Sequence, residues 1–330
     1  ILGTAMAICM IMVLVITFQV RLVDCEPEVN RSRTLYVPYM SVKQKGNSDN
    51  ESANASMSVR TGRECFRALS MPEAVTLASG VYRVRASVPS GSKATADMVQ
   101  TDEAFWTIFS FHFLSGEAFT KADCDAGLTR AVLDATTARR LFGTTDAVGR
   151  TVQLDYVDYT VAGVVADVSM LATAAYAQIW VPYTAAGAEA MSWQNDTMGP
   201  MHAIILARSS ADFDAIREET ELLRKKYNDG LQDVEVFYRG QPDTQLAYLY
   251  RRWYAEPDVP GVMLRYAIVV IILLLVPAVN LSGMTLSRMR RRMAEIGVRK
   301  AFGATGGELM RQVFFENLVL TLLAYSSSPL

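Results

Sequence analysis

Residues 266–287 (YAIVVIILLLVPAVNLSGMTLS) form 22 consecutive positions without a charge, bracketed by Arg265 and Arg288. As an α-helix they are about 33 Å long, enough to cross the roughly 30 Å hydrocarbon core of a bilayer. A buried helix of a soluble core is the alternative, and this length argues against it. Pro277 costs the helix a backbone hydrogen bond, which neighbouring helices in a membrane can offset. Residues 1–20 (ILGTAMAICMIMVLVITFQV) are also free of charge. A cleaved signal peptide would show a basic start, a shorter apolar core and a small-residue cleavage site. None is visible, so the segment reads as a membrane anchor. Residues 313–324 are apolar apart from Glu316 and Asn317 and run into a Ser-rich end. They read as the start of a third membrane helix, in a chain that begins after and stops before the ends of a longer one.

Charge sets the orientation. From residue 266 onward seven basic residues (Arg288, Arg290, Arg291, Arg292, Arg299, Lys300, Arg311) face three acids, a net of +4. The other 25 basic and 31 acidic residues all lie within 21–265, a net of −6. The short basic loop is therefore expected on the cytoplasmic side, and residues 21–265 on the other. An overall net charge of −2 excludes a generally basic nucleic-acid binder. Two histidines leave little room for a histidine-rich metal centre, and four cysteines without a CxxC pair make no disulfide scaffold. Cys25, Cys65 and Cys124 fall in the outer region and allow one disulfide.

That region, 245 residues long, is large enough for two subdomains. Residues 202–208 (HAIILAR) read as a buried strand. Ser209 or Ser210 then caps a helix whose Phe213, Ile216, Thr220, Leu223 and Tyr227 share one face. Asn228-Asp229-Gly230 ends it before a strand at 234–239, giving a β-α-β succession. Ser70 and Glu73 form a capping-box pattern that predicts a short helix over 72–79, stopped by Gly80. Strands are expected at 81–88, 131–134 and 178–183. A helix is expected over TTARRLFG, and two β runs joined near Val157-Asp158 between 149 and 168. The polar stretch 41–58 predicts a mobile loop. Tyr248, Tyr250, Trp253 and Tyr254 suit an interface belt, a stalk, or plain packing against the domain.

The loop after the second span, RRRMAEIGVRKAFGATGGELMRQ, resembles the coupling loop of MacB/FtsX-type ABC transporter permeases. Glu295, Ile296, Gly297, Arg299, Lys300, Ala301, Gly303 and Ala304 match that signature position by position. FLSGEAF (113–119), ARRLFG (138–143) before AVGR (147–150), YTVAGVVAD (159–167) and IWVPY (179–183) are similar to pieces of the family's periplasmic core domain. The resemblance implies a membrane protein with transmembrane α-helices plus a large α+β extracytoplasmic domain, a βαβ-containing porter-like subdomain with an inserted β-rich subdomain. Its expected parts are a first membrane helix (1–20), an extracytoplasmic core domain (21–265), a second membrane helix (266–287), a cytoplasmic coupling loop (288–309) and an incomplete third helix (310–330).

The same resemblance implies a multi-pass protein of a bacterial inner membrane. Its expected partners are a cytoplasmic ABC ATPase subunit that binds ATP and magnesium and a second permease copy, as a homodimer or heterodimer. A periplasmic adaptor, an outer-membrane channel and membrane lipid complete the set, with no nucleic acid. The ATPase-coupling residues would be Glu295, Ile296, Gly297, Val298, Arg299, Lys300, Ala301, Phe302, Gly303 and Ala304. In a helix over 291–302, Ala294, Val298, Ala301 and Phe302 fall on one arc, and Glu295 can pair with Arg299. Gly303, Gly306 and Gly307 break that helix, and Thr305 with Glu308 makes a capping box for the next. On physics alone the basic residues could serve topology only; the motif adds coupling.

No GxxxxGK[ST] loop occurs, since GSKAT (91–95) and GATGG (303–307) lack its Gly-Lys core. No motif assembles a nucleophile either, so the chain reads as a non-enzyme whose ATP hydrolysis comes from a separate subunit. The function expected is transmission of ATPase motion to the outer domain for export or efflux. The alternative is a non-transporting signalling or regulatory subunit that activates an extracytoplasmic enzyme or sensor.

Overall fold

The computed structural model describes residues 2–46, 52–89, 91–253, 255–291, 293–303, 305–308, 310–311, 314–315 and 319. The chain divides into two compact units. One comprises residues 1–15 with 264–330 and the other residues 16–263.

In the first unit, α1 (Leu2–Leu22) contributes its opening turns and α8 (Val259–Arg291) most of its 33 residues, with Pro277 inside. Ala5–Leu22 and Val259–Val279 are long and apolar enough to cross a membrane, with mean hydropathies of 2.2 and 2.7. Only 6% of each stretch is buried within the protein, which separates both from soluble-core helices. Helix α9 (Met293–Ala301) follows. The third predicted membrane helix lies almost entirely outside the described residues.

The second unit holds three sheets. Strands β1 (Thr34–Val37), β2 (Met40–Gln44) and β3 (Ala53–Ala55) open it, followed by α2 (Val59–Gly62) and β4 (Ala74–Ser79). Next come β5 (Tyr82–Ser87), β6 (Lys93–Thr101), α3 (Phe105–Ile108), β7 (Phe113–Gly116), α4 (Lys121–Asp125), β8 (Arg130–Asp134) and α5 (Ala135–Phe142). The hairpin β9 (Thr151–Leu154) and β10 (Val157–Val165) leads to β11 (Ile179–Pro182) and β12 (Met201–Leu206). Helix α6 (Phe213–Gly230), β13 (Val234–Phe237), β14 (Asp243–Thr244) and α7 (Gln245–Tyr250) complete the unit.

The central layer is a four-stranded sheet in the order β14-β1-β12-β4. Its strands alternate between two cores. Leu35, Val37, Leu77, Ala203 and Ile205 pack with Ile216 and Tyr227 of α6 and Val236 of β13. Tyr36, Ala78, Ile204 and Leu206 pack on the other side with Phe105, Phe109, Phe119, Val132 and Trp180. A sheet covered on both faces needs apolar residues at successive positions, which accounts for the uninterrupted HAIIL run. A seven-stranded mixed sheet, β7-β10-β8-β11-β6-β5-β9, is built wholly from chain between β4 and β12. Asp102, one residue past β6, joins the two sheets. Its carboxylate accepts from Thr76 Oγ1 at 2.6 Å, Ala104 N at 3.1 Å and Leu77 N at 3.1 Å.

Four expectations need correction. Residues 74–79 form β4, not a helix. The Ser70 amide and hydroxyl bind the Glu219 carboxylate of α6 at 2.9 and 2.6 Å, so no local capping box competes with the sheet. Residues 41–58 are partly strand: β2 and β3 pair, and a Ser41–Asn54 side-chain bond of 2.5 Å lets polar residues sit in the ladder. Residues 47–51 lie outside the described residues. The β-α-β order is present, but β12 belongs to the four-stranded sheet and β13 pairs with β2 in another. Asn228 explains this, because its amide exchanges two hydrogen bonds with the Val236 backbone (2.9 and 2.8 Å) and holds β13 to the end of α6. The β9–β10 turn falls at Asp155-Tyr156, both with positive φ, rather than at Val157-Asp158. All four cysteines are free thiols, so the expected disulfide is not formed.

Candidate functional site: the coupling segment and the membrane-proximal junction

Helix α9 carries seven of the ten sequence-predicted coupling residues from Glu295 to Ala301. Of Glu295, Ile296 and Arg299 the backbone alone is described, and Ala304 lies outside the described residues. Gly297, Val298, Lys300, Ala301, Phe302 and Gly303 are exposed, Val298 at 57% and Phe302 at 89%. Two large apolar side chains one turn apart in water form an unfilled contact surface. The Phe302 amide still bonds to Val298 O at 3.1 Å, and Gly303 with φ +94° then turns the chain out of the helix. Only glycine takes that backbone without strain. The predicted capping box is formed: Thr305 N and Oγ1 donate to Glu308 Oε2 at 2.9 and 2.8 Å, and Glu308 N returns to Thr305 Oγ1 at 3.4 Å.

A second set of residues, which no motif reveals, sits in the 16–263 unit where its chain meets the two apolar helices. Arg31 and Glu28 form an ion pair at 2.7 Å with both side chains 1% exposed. The Arg31 guanidinium also donates to Val23 O at 2.6 Å, the residue just past α1, and to Leu171 O at 2.5 Å. Glu28 Oε1 accepts from the amides of Ala174 (2.7 Å) and Ala175 (3.0 Å). One buried pair thus binds the end of α1 to a loop some 140 residues away. Burial raises the Glu28 pKa above the ordinary carboxylate value, while Arg31 and the two amides oppose the rise.

Arg251 and Asp243 repeat the arrangement ahead of α8. They form a bidentate pair with side chains 1% and 4% exposed. Arg251 donates further to Arg239 O and Ala255 O, both at 2.9 Å. Helix α7 links the two pairs. Gln245 Nε2 donates to Arg21 O in the last turn of α1 at 3.2 Å, and Tyr248 stacks on Tyr36 of β1 with ring centroids 4.5 Å apart. Of the aromatic residues read as belt, stalk or packing, Tyr248 takes the packing role, Trp253 is 76% exposed, and Tyr254 lies outside the described residues. The geometry is a tie: backbone carbonyls adjoining both helices are held by guanidinium groups whose charges are neutralised and buried.

Residues 1–223 match the family model described as MacB-like periplasmic core domain, and residues 267–328 match FtsX-like permease C-terminal. The chain belongs to this family of MacB/FtsX-type ABC transporter permeases. It is 28% identical over 222 residues to the pyoverdine export ATP-binding/permease protein PvdT of Pseudomonas aeruginosa, covering 66% of this chain and 31% of that one. It is 25% identical over 230 residues to the macrolide export ATP-binding/permease protein MacB of Chromobacterium violaceum, covering 69% and 33%. The chain spans about a third of the length of these relatives. Among solved structures, the periplasmic region of MacB from Actinobacillus actinomycetemcomitans gives a TM-score of 0.43 at 18% identity, over 61% of this chain and 88% of that one. The extracellular domain of YknZ from Gram-positive bacteria gives 0.42 at 16%, over 60% and 99%.

Proposed function

We propose that the chain is the permease part of an ABC transporter. In this reading it carries the motion of a cytoplasmic ATPase through the membrane to residues 21–265 on the outer side, for export or efflux. The ATPase, which binds ATP and magnesium, pushes on the segment 295–304, where exposed Val298 and Phe302 offer an apolar contact. A multi-pass arrangement in a bacterial inner membrane, a second permease copy, a periplasmic adaptor and an outer-membrane channel belong to the same reading. PvdT and MacB are named for exporting pyoverdine and macrolides. By analogy the cargo here is a small or medium-sized molecule already outside the inner membrane.

The observation that carries this reading is the pair of buried arginine ties. A domain merely anchored to a membrane needs flexible linkers. Here Arg31 and Arg251 instead fix the chain beside α1 and α8 into the body of the outer domain. Reconstitution of the full chain with its cognate ATPase tests the reading. Phe302→Ala and Glu295→Ala should each reduce the permease-dependent stimulation of ATP hydrolysis. Unchanged stimulation in both variants would remove the coupling role.

A further inference from the structure

A cavity of about 160 Å³ lies beside the tie, among Tyr36, Ala78, Val99, His202, Ile204 and Tyr248, with the backbone of Thr173 and Ala174 closing one side. Strand register explains its position. Tyr36 faces Ile204 across β1–β12 and His202 faces Ala78 across β12–β4, so all four point to one face of the central sheet. Small Ala78 and the ending strands leave the space unfilled. Its walls carry no Asp, Glu, Lys or Arg. His202 accepts or donates one bond with Ser56 Oγ at 2.8 Å, and desolvation pushes its pKa down to about 4, so the imidazole is neutral at ordinary pH. Tyr36 is 2% exposed, and its hydroxyl has no hydrogen-bond partner among the described residues. A buried hydroxyl left in that state costs on the order of 1–3 kcal/mol.

These features define a ligand. The volume matches the roughly 150 Å³ that accepts a benzene ring in an apolar protein cavity. It falls well below the roughly 300–1,000 Å³ of pockets for drug-sized molecules. A wall without ionic side chains excludes a charged guest, because a buried ion without a partner is strongly unfavourable. The stacked tyrosines favour a flat ring, and the orphaned Tyr36 hydroxyl favours one polar substituent. We propose that the cavity formed by Tyr36, Ala78, His202 and Tyr248 binds a neutral, hydroxylated aromatic molecule the size of phenol. The walls include the Ala174 segment held by Glu28 and the helix α7 residue stacked on β1, so a guest there would stiffen the tie. The site is independent of whether the outer domain moves cargo.

The test uses the full chain in lipid nanodiscs with isotope-labelled isoleucine methyl groups, titrated with phenol and, separately, toluene. Ile204 reports the cavity, and isoleucines of α8 such as Ile268 report partition into lipid. Phenol should shift the Ile204 methyl in a saturable manner. Tyr36→Phe should weaken phenol about fivefold while leaving toluene unaffected, as expected for loss of one buried hydrogen bond. Ala78→Leu should fill the cavity and abolish both. Val81→Trp, at a position 45% exposed, closes the mouth without entering the core and should weaken both ligands. A shift at Ile204 that is absent, or that stays linear and parallels Ile268, would mean that the cavity holds only water and would overturn the proposal. Equal phenol binding by the native chain and the Val81→Trp variant would also overturn it.

Discussion

Arg31 and Glu28 are three residues apart in sequence, share a buried contact of 2.7 Å, and between them hold Val23, Leu171, Ala174 and Ala175 by the backbone. Such a pair offers little net stability, since the cost of removing two charges from water offsets their attraction. Breaking half of it is another matter. Arg31→Met leaves a buried carboxylate uncompensated and should lower unfolding stability by about 3–5 kcal/mol. Arg31→Met combined with Glu28→Gln removes both charges and should recover at least about 1 kcal/mol of that loss. Denaturant unfolding of the full chain in detergent measures both. An Arg31→Met variant as stable as the native chain would refute the tie.

Gly116 illustrates what a short motif can encode. It sits at the end of β7 with φ +66°, opposite Gly163 of β10. A Cβ there would lie 2.2 Å from Ala162 O and 2.9 Å from Gly163 Cα. Gly116→Ala therefore forces two backbones apart as well as straining its own φ, and should cost about 3 kcal/mol or more. Thermal unfolding that leaves the midpoint unmoved would disprove this packing.

Asp102 supplies a pH signature. Desolvation is the leading cause that pushes its pKa from 3.8 up to about 6, with Arg67 and the Thr76 and Leu77 bonds acting against it. A carboxyl whose folded pKa is raised binds more protons in the folded state. Its contribution to stability is greatest below about pH 4 and is lost as pH rises through about 6, on the order of 2 kcal/mol in all. Asp102→Asn should flatten that part of the profile between pH 4 and 6. Unfolding curves across this range give the comparison, and an unchanged slope in the variant would rule out Asp102 as its source.

The thiols should differ sharply in reactivity. Cys65 and Cys124 are 0% and 5% exposed, and desolvation pushes both thiols up to about 12, away from the thiolate that reacts. Cys25 is only half-buried. With Cys9 replaced by serine, a maleimide should modify one thiol in the folded chain and three after denaturation. Mass spectrometry of labelled peptides locates them, and rapid labelling of Cys65 before unfolding would contradict the burial described.

Much of this fold was legible where local and tertiary preferences agree. The charge-free stretches became α1 and α8, the alternation in 157–165 became β10, and Thr305 with Glu308 became a cap. Residues 72–79 were misleading because Ser70 and Glu73 fit a cap by spacing. The decision lay instead with Glu219, 149 residues from Ser70. The arginine ties were illegible for the same reason: Arg31 is an ordinary arginine until folding brings Leu171 to it. The coupling segment was the reverse case, readable as a motif and beyond periodicity alone.

The account stands or falls on whether the junction is rigid while the ATPase works. Spin labels at exposed Tyr156 and Trp253, each replaced by cysteine in a background without other labelled thiols, place one probe on the outer hairpin and one on the lead-in to α8. Electron–electron distance measurements on the complex with its ATPase should give one nucleotide-independent distance in the native background. In the Arg31→Lys/Arg251→Lys variant the distribution should broaden or shift when ATP is bound. A native distance that changes with nucleotide would show that the lead-in moves apart from the outer domain, and would contradict transmission through these ties.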